Sequence, residues 1–198
     1  APITVWDPNT NSYVALRPGD DEAFLHPFQA FFVQKPEGTE ALTFNAADRT
    51  TYHGSQKALQ AKANRVRIAG VAESPRKLIN LSVTDGTSTD KTRIVFNDEK
   101  SMAYEMDCDA AKFIAAGVPQ IYSIGSDETH FAINERPNGD GTVRLGFTAD
   151  KAGTFSIKAG RMDTPCYLRD VLLNITHDLS VGAYEFESQK GTFENRFV

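Results

Sequence analysis

The feature that most constrains this chain is an alternation of apolar and polar residues, with a period of two, repeated in short runs. In TVRLGF (142–147), Val143, Leu145 and Phe147 share one face while Arg144 points away. In TFSIKA (154–159), Phe155 and Ile157 oppose Ser156 and Lys158. INLSV aligns Ile79, Leu81 and Val83, and AYEFE sets Tyr184 and Phe186 against Glu185 and Glu187. Successive side chains of a strand point to opposite faces, so each run predicts a strand with one face on a core and one in water. Turn signals separate the runs: DPNTNS, RPGDD, PEGTE, VTDGTSTD, RPNGDGT and DKAG. They are rich in residues that accept tight or positive-φ backbone. Roughly ten to thirteen short strands at this spacing predict an all-β chain, an antiparallel β-sandwich of the jelly-roll kind.

Helix signals are few. SQKALQAKA (55–63) has helix-favouring residues but a weak apolar stripe. DCDAAKFIAAG (107–117) is the better segment: Asp107 or Asp109 can cap it, and Gly117 and Pro119 stop it. One short helix is expected there. A composition shift around ADRTTYHGSQKALQAKA divides the chain into a small strand-rich piece, 1–52, and a main sandwich, 53–198, packed as one unit. HPFQAFFVQKP (26–36) carries Phe28 and Phe32 on one face and Phe31 and Val33 on the other. Large apolar groups on both faces suit a strand covered on both sides, or the seam between the two pieces. The covered-strand reading sets the cost of Phe31→Ala at about 3–5 kcal/mol.

The chemistry-bearing residues are sparse. A net charge of −5 argues against nucleic acid, which needs clustered Lys and Arg. Arg65/Arg67 and Arg76/Lys77 are the densest basic spots and read as solvated faces. No apolar run approaches the ~20 residues of a membrane span, so no membrane insertion is expected. The APITVW start shows no signal peptide, which is absent or already removed. The four histidines, His26, His53, His130 and His177, lie too far apart in sequence to form a local metal pair, and C-x-x-C is missing. No metal or cofactor is expected. A Cys–His nucleophile built on Cys108 is disfavoured, because Asp107 and Asp109 would raise its thiol pKa. NGDG (138–141) reads as a hairpin turn rather than a calcium loop. PGDDE (18–22) and TDGTSTD (84–90) have oxygen atoms enough for weak calcium binding but equally suit solvent-facing turns. No nucleophile elbow, P-loop or dinucleotide fingerprint occurs, and no enzyme activity is expected. Trp6 and Tyr13, with Tyr52 and Tyr122 as further aromatics, are the candidate ligand-binding residues, since carbohydrate is held on exposed rings. Cys108 and Cys166 are either one bridge or two thiols; spacing leaves both open.

Several blocks in order resemble a known module. ITVWDPNTNSYVALRPGDDEAFLHPFQAFFVQKPEGTEALTFNAADR, LINLSVTDG, DKTRIVFNDEKSMAYEMDCDAAKF, PQIYSIGSDETHFAINERP, VRLGFTADKAGTFSIKAG and HDLSVGAYEFESQKGTFENRFV are similar to a β-sandwich near the C-terminus of secreted Bacteroidetes surface proteins. Such modules stand before type IX sorting domains or close leucine-rich-repeat adhesins. The resemblance implies a secreted or cell-surface, non-catalytic module: an adhesion, spacer or accessory domain. Its implied partners are neighbouring domains of the same precursor, a glycan or a host surface protein. It brings no catalytic residues. The upstream N-P-Y-P region and a following sorting domain are not in the chain, so it is expected to be part of a larger precursor. An oxidising surface setting favours the Cys108–Cys166 bridge.

Overall fold

The computed structural model describes residues 1–17, 25, 28–35, 37–38, 41, 43 and 76–198. Among them the chain is all-β, with fourteen strands and no helix. β1 (Ile3–Asp7), β2 (Ser12–Leu16) and β3 (Phe31–Val33) form an antiparallel sheet in the order β2-β1-β3. The main sheet begins with β4 (Lys77–Thr84), β5 (Thr89–Phe96), β6 (Ala110–Ala111), β7 (Gln120–Ile124) and β8 (His130–Arg136). It continues with β9 (Leu145–Ala149), β10 (Gly153–Met162), β11 (Tyr167–Asp170), β12 (Ile175–Asp178), β13 (Tyr184–Ser188) and β14 (Gly191–Phe197). Its order is β12-β11-β14-β9-β7-β8-β5-β4-β10-β13, with β6 beside β8. All its pairings are antiparallel except β5–β8. Parallel neighbours need a long crossover, and the connection from 97 to 129, which carries β6 and β7, supplies it.

The sheet rolls up. Laid flat, β9 and β13 would lie about 29 Å apart, six strand spacings of about 4.8 Å. Instead the Phe147 ring of β9 meets the Phe186 ring of β13 with centroids 5.1 Å apart. Phe155, Phe193 and Phe197 also surround Phe147. The core inside the roll is supplied by the alternating residues: Ile79, Leu81, Val83, Val143, Leu145, Phe147, Phe155, Ile157, Tyr184 and Phe186 are all buried. Their alternates Lys158, Glu185 and Glu187 are exposed. The two ends of the path, β12 and β13, are consecutive in the chain, and the His177 and Tyr184 rings stand 5.6 Å apart. The sheet is therefore nearly closed.

A buried ion pair latches this closure. Arg196 of β14 donates from Nε (3.1 Å) and Nη2 (2.9 Å) to Asp170 Oδ2 of β11. Its Nη1 reaches across to the Glu187 carbonyl of β13 at 3.1 Å. The Tyr184 hydroxyl of β13 donates to the same Asp170 oxygen at 3.1 Å. The guanidinium lies 4.7 Å from the Phe186 ring centre and 5.0 Å from that of Phe197.

The small sheet packs on the main one through its Thr4, Tyr13, Ala15 and Phe32 face. Ala15 lies against Ala110, Ala132 and Ile133. The Ser12 hydroxyl donates to the Thr89 carbonyl at 3.2 Å. Arg17 pairs with the buried Glu135 carboxylate, which also accepts from Arg76 (2.9 Å) and Asn97 (2.7 Å).

Four expectations change. The 107–117 segment is not a helix. Asp109 accepts backbone N–H groups from Glu105 (2.8 Å) and Glu135 (2.7 Å), Ala110 and Ala111 pair with β8, and Lys112 turns inward. These tertiary bonds override the helix preference of the alanines. Within 26–36, the described residues 28–35 are not a covered central strand: β3 is three residues long and pairs only with β1 among the described residues. Phe28 is fully exposed at φ 65°, and Phe32 lies at the seam, as the other reading expected. The NGDG turn forms, with Gly139 at φ 56° and Gly141 N–H bonded to the Asn138 carbonyl. It closes no hairpin, because β7 lies between β8 and β9. The fourth change is the parallel β5–β8 pair. SQKALQAKA falls outside the described residues.

Phe147→Ala is expected to lower stability by about 3–5 kcal/mol in urea unfolding, and Phe32→Ala by less than about 1 kcal/mol. Equal losses would contradict this division between core and seam.

Candidate functional site

The N-terminal hairpin builds an aromatic patch at the seam. Trp6 and Tyr13 are direct cross-strand partners, and their ring centroids are 5.0 Å apart, edge to face. Tyr13 also meets Phe32 at 6.1 Å and Phe113 at 5.6 Å, and Phe32 meets Phe113 at 5.2 Å. The rings come from β1, β2, β3 and the segment after β6, so assembling the patch requires both sheets. Trp6 remains 40% exposed, Phe32 53% and Phe113 36%. Ile114, next in the chain after Phe113, is also exposed. Such edge-to-face contacts fix ring orientation while leaving π-faces open to a ligand.

The structure thus brings the two expected residues Trp6 and Tyr13 together and adds Phe32 and Phe113. Those two escaped sequence reading because one was assigned to a covered strand and the other to a helix. Tyr52, together with His26 and His53, lies outside the described residues. Tyr122 is no platform: it is buried, its ring 4.3 Å from that of His130, and its hydroxyl donates to Glu194 at 3.2 Å. Gly146 makes that position possible, since a Cβ there would come within 2.0 Å of the Tyr122 ring.

The remaining candidates for chemistry are committed to structural bonds. His130 Nε2 lies 3.0 Å from Glu194, and His177 Nε2 lies 3.1 Å from the Gly182 carbonyl, a turn carbonyl. Glu105, Asp107 and Cys108 bring potential metal-ligand atoms within 4.8 Å of one another. Lys100 Nζ, however, sits 2.9 Å from Glu105 and 3.0 Å from Asp107, so an ammonium already bridges the two carboxylates and offsets one of their two charges. Burial, then Asp109 and Asp107, push the Cys108 thiol up to about 12, which opposes thiolate ligation and nucleophilic attack alike. In TDGTSTD, Asp85 accepts the Thr87 and Ser88 N–H groups and pairs with Lys151, and Asp90 is buried against Lys112. Neither carboxylate is left for calcium. PGDDE lies outside the described residues.

Cys108 and Cys166 are both free thiols, so the expected bridge is not formed. Cys108 is buried in the 105–109 turn, its thiol directed at the Glu105 carbonyl, whereas Cys166 packs against the roll's core. The folded chain places them in separate environments.

A second surface feature lies at the closing edge. The β11–β12 hairpin and the turn after it expose Tyr167, Val171, Leu172, Leu173, Ile175 and Val181. Leu172 and Leu173 overhang a depression of about 450 Å³ whose other wall includes Glu185 and Glu187.

The chain belongs to the DUF8693 family, a domain of unknown function, which matches residues 6–198. No curated protein and no solved structure matches it. No helix among the described residues is long and apolar enough to cross a membrane.

At about pH 8, Cys108 is expected to be inert to Ellman's reagent in the folded protein and reactive once unfolded, without added reductant. Unfolded protein releasing no thiol would show that the bridge forms after all.

Proposed function

We propose that this chain is a non-catalytic binding module of a secreted or cell-surface protein, a β-sandwich of jelly-roll kind, with the Trp6–Tyr13–Phe32–Phe113 patch as its contact surface. The observation that carries this reading is the patch itself: four rings from two sheets, held edge to face yet partly open to solvent. The sandwich reading is supported by the rings of β9 and β14 facing those of β10 and β13 across one core. The non-catalytic reading is supported by carboxylates, thiols and imidazoles that are engaged with neighbouring groups. The resemblance to exported modules supports the location. Carbohydrate is the ligand class this surface suits best, because sugar C–H faces stack on exposed rings and tolerate a flat, shallow site. A second role, packing as an accessory domain against a neighbouring domain of the same precursor, is favoured by the exposed Leu172, Leu173 and Val181 at the closing edge.

On a glycan array, the wild-type chain is expected to bind a defined subset of glycans, with at least tenfold weaker binding in Trp6→Ala and Phe113→Ala. Binding that both variants retain unchanged would remove the patch from the function.

A further inference from the structure

Asp90 and Lys112 form a pair that ordinary ion pairing explains poorly. Asp90 opens the core-facing part of β5, and Lys112 follows β6. Their side chains are 0% and 1% exposed. Burying both charges is costly before any attraction is counted. The Lys112 Nζ lies 2.6 Å from both Asp90 oxygens. A nitrogen equidistant from the two oxygens lies on the plane that bisects the carboxyl group, close to its carbon. Both partners are held by backbone: Lys112 N–H donates to the His130 carbonyl at 2.9 Å, and Asp90 lies in register opposite Val83. Ile121 N–H donates to Asp90 Oδ2 at 2.7 Å.

We propose that Lys112 and Asp90 condense spontaneously into an intramolecular isopeptide bond, a covalent cross-link between β5 and the segment after β6. The proposal is independent of the ring patch and of the binding role.

The chemistry needs no co-reactant. One ammonium proton passes to Asp90 Oδ1, leaving a neutral amine beside a neutral carboxyl. Burial favours this exchange, pushing the Asp90 carboxyl up and the Lys112 amine down against their mutual attraction. The Nζ lone pair then attacks Cγ, and the C=O electron pair moves onto Oδ2, where the Ile121 N–H stabilises the developing oxyanion. A second proton passes from Nζ to the Oδ1 hydroxyl, which departs as water while the Cγ=Oδ2 bond re-forms. The third ammonium proton stays on the amide nitrogen, so an ammonium and a carboxylate become one amide and one water. Fixing nucleophile and carbonyl in contact replaces much of the entropy that such an uncatalysed condensation demands.

The test is the intact mass of the purified, denatured wild-type chain, which is expected about 18 Da below the sequence mass, one water lost. Trypsin should leave Lys112 uncleaved and yield residues 78–91 joined to residues 101–144. Asp90→Ala and Lys112→Met should each return to their full sequence masses. Asp90→Asn should lose about 17 Da, one ammonia, through the same attack on a carboxamide. A wild-type chain at full mass, with cleavage after Lys112, would overturn the proposal and leave a buried ion pair. A mass deficit that persists in Asp90→Ala would overturn it too, placing the dehydration at another residue.

Discussion

The roll depends on the contact between Arg196 and Asp170. Its position explains why a single buried pair matters so much. Asp170 sits on β11 and Arg196 on β14 at one end of the sheet path, while Tyr184 and the Glu187 carbonyl belong to β13 at the other. One carboxylate therefore gathers donors from strands that share no ladder. A buried ion pair adds little net stability by itself, but a geometry satisfied only when the sheet has curled specifies that curl. The rings of Phe186 and Phe197 under the guanidinium make the latch continuous with the core.

The same device recurs where the small sheet meets the large one. Glu135 lies buried on β8 and collects Arg17, Arg76 and Asn97, which belong respectively to the end of the N-terminal hairpin, the approach to β4 and the end of β5. Acidic side chains thus hold the corners of the fold, while phenylalanines fill its centre. A rigid corner at Glu135 matters for the surface nearby. It holds the hairpin bearing Trp6 and Tyr13 against the segment bearing Phe113, and the ring patch exists only while the two stay together.

Much of the main sheet was legible because period-two alternation is a local property. Val143, Leu145 and Phe147, or Tyr184 and Phe186, must face one way in any strand. The errors arose where long-range partners decided the outcome. DCDAAKFIAAG has helical composition, yet Asp109 is bound by Glu135 and Lys112 by Asp90, each more than twenty residues away. The NGDG turn is correct locally, but nothing in RPNGDGT announces that β7 inserts between β8 and β9. The aromatic site was half legible. Trp6 and Tyr13 flank one hairpin turn, whereas Phe32 and Phe113 reach it only through tertiary packing. Local pattern placed the first in a covered strand and the second in a helix.

The central claim is that distant strands of one sheet meet face to face inside the roll. A double-mutant cycle between Phe147→Leu and Phe186→Leu, read by urea unfolding, measures that meeting directly. The 5.1 Å contact predicts a coupling energy of about 0.5–1.5 kcal/mol. Strictly additive losses, with coupling near zero, would mean that β9 and β13 do not face one another and that the sheet is open.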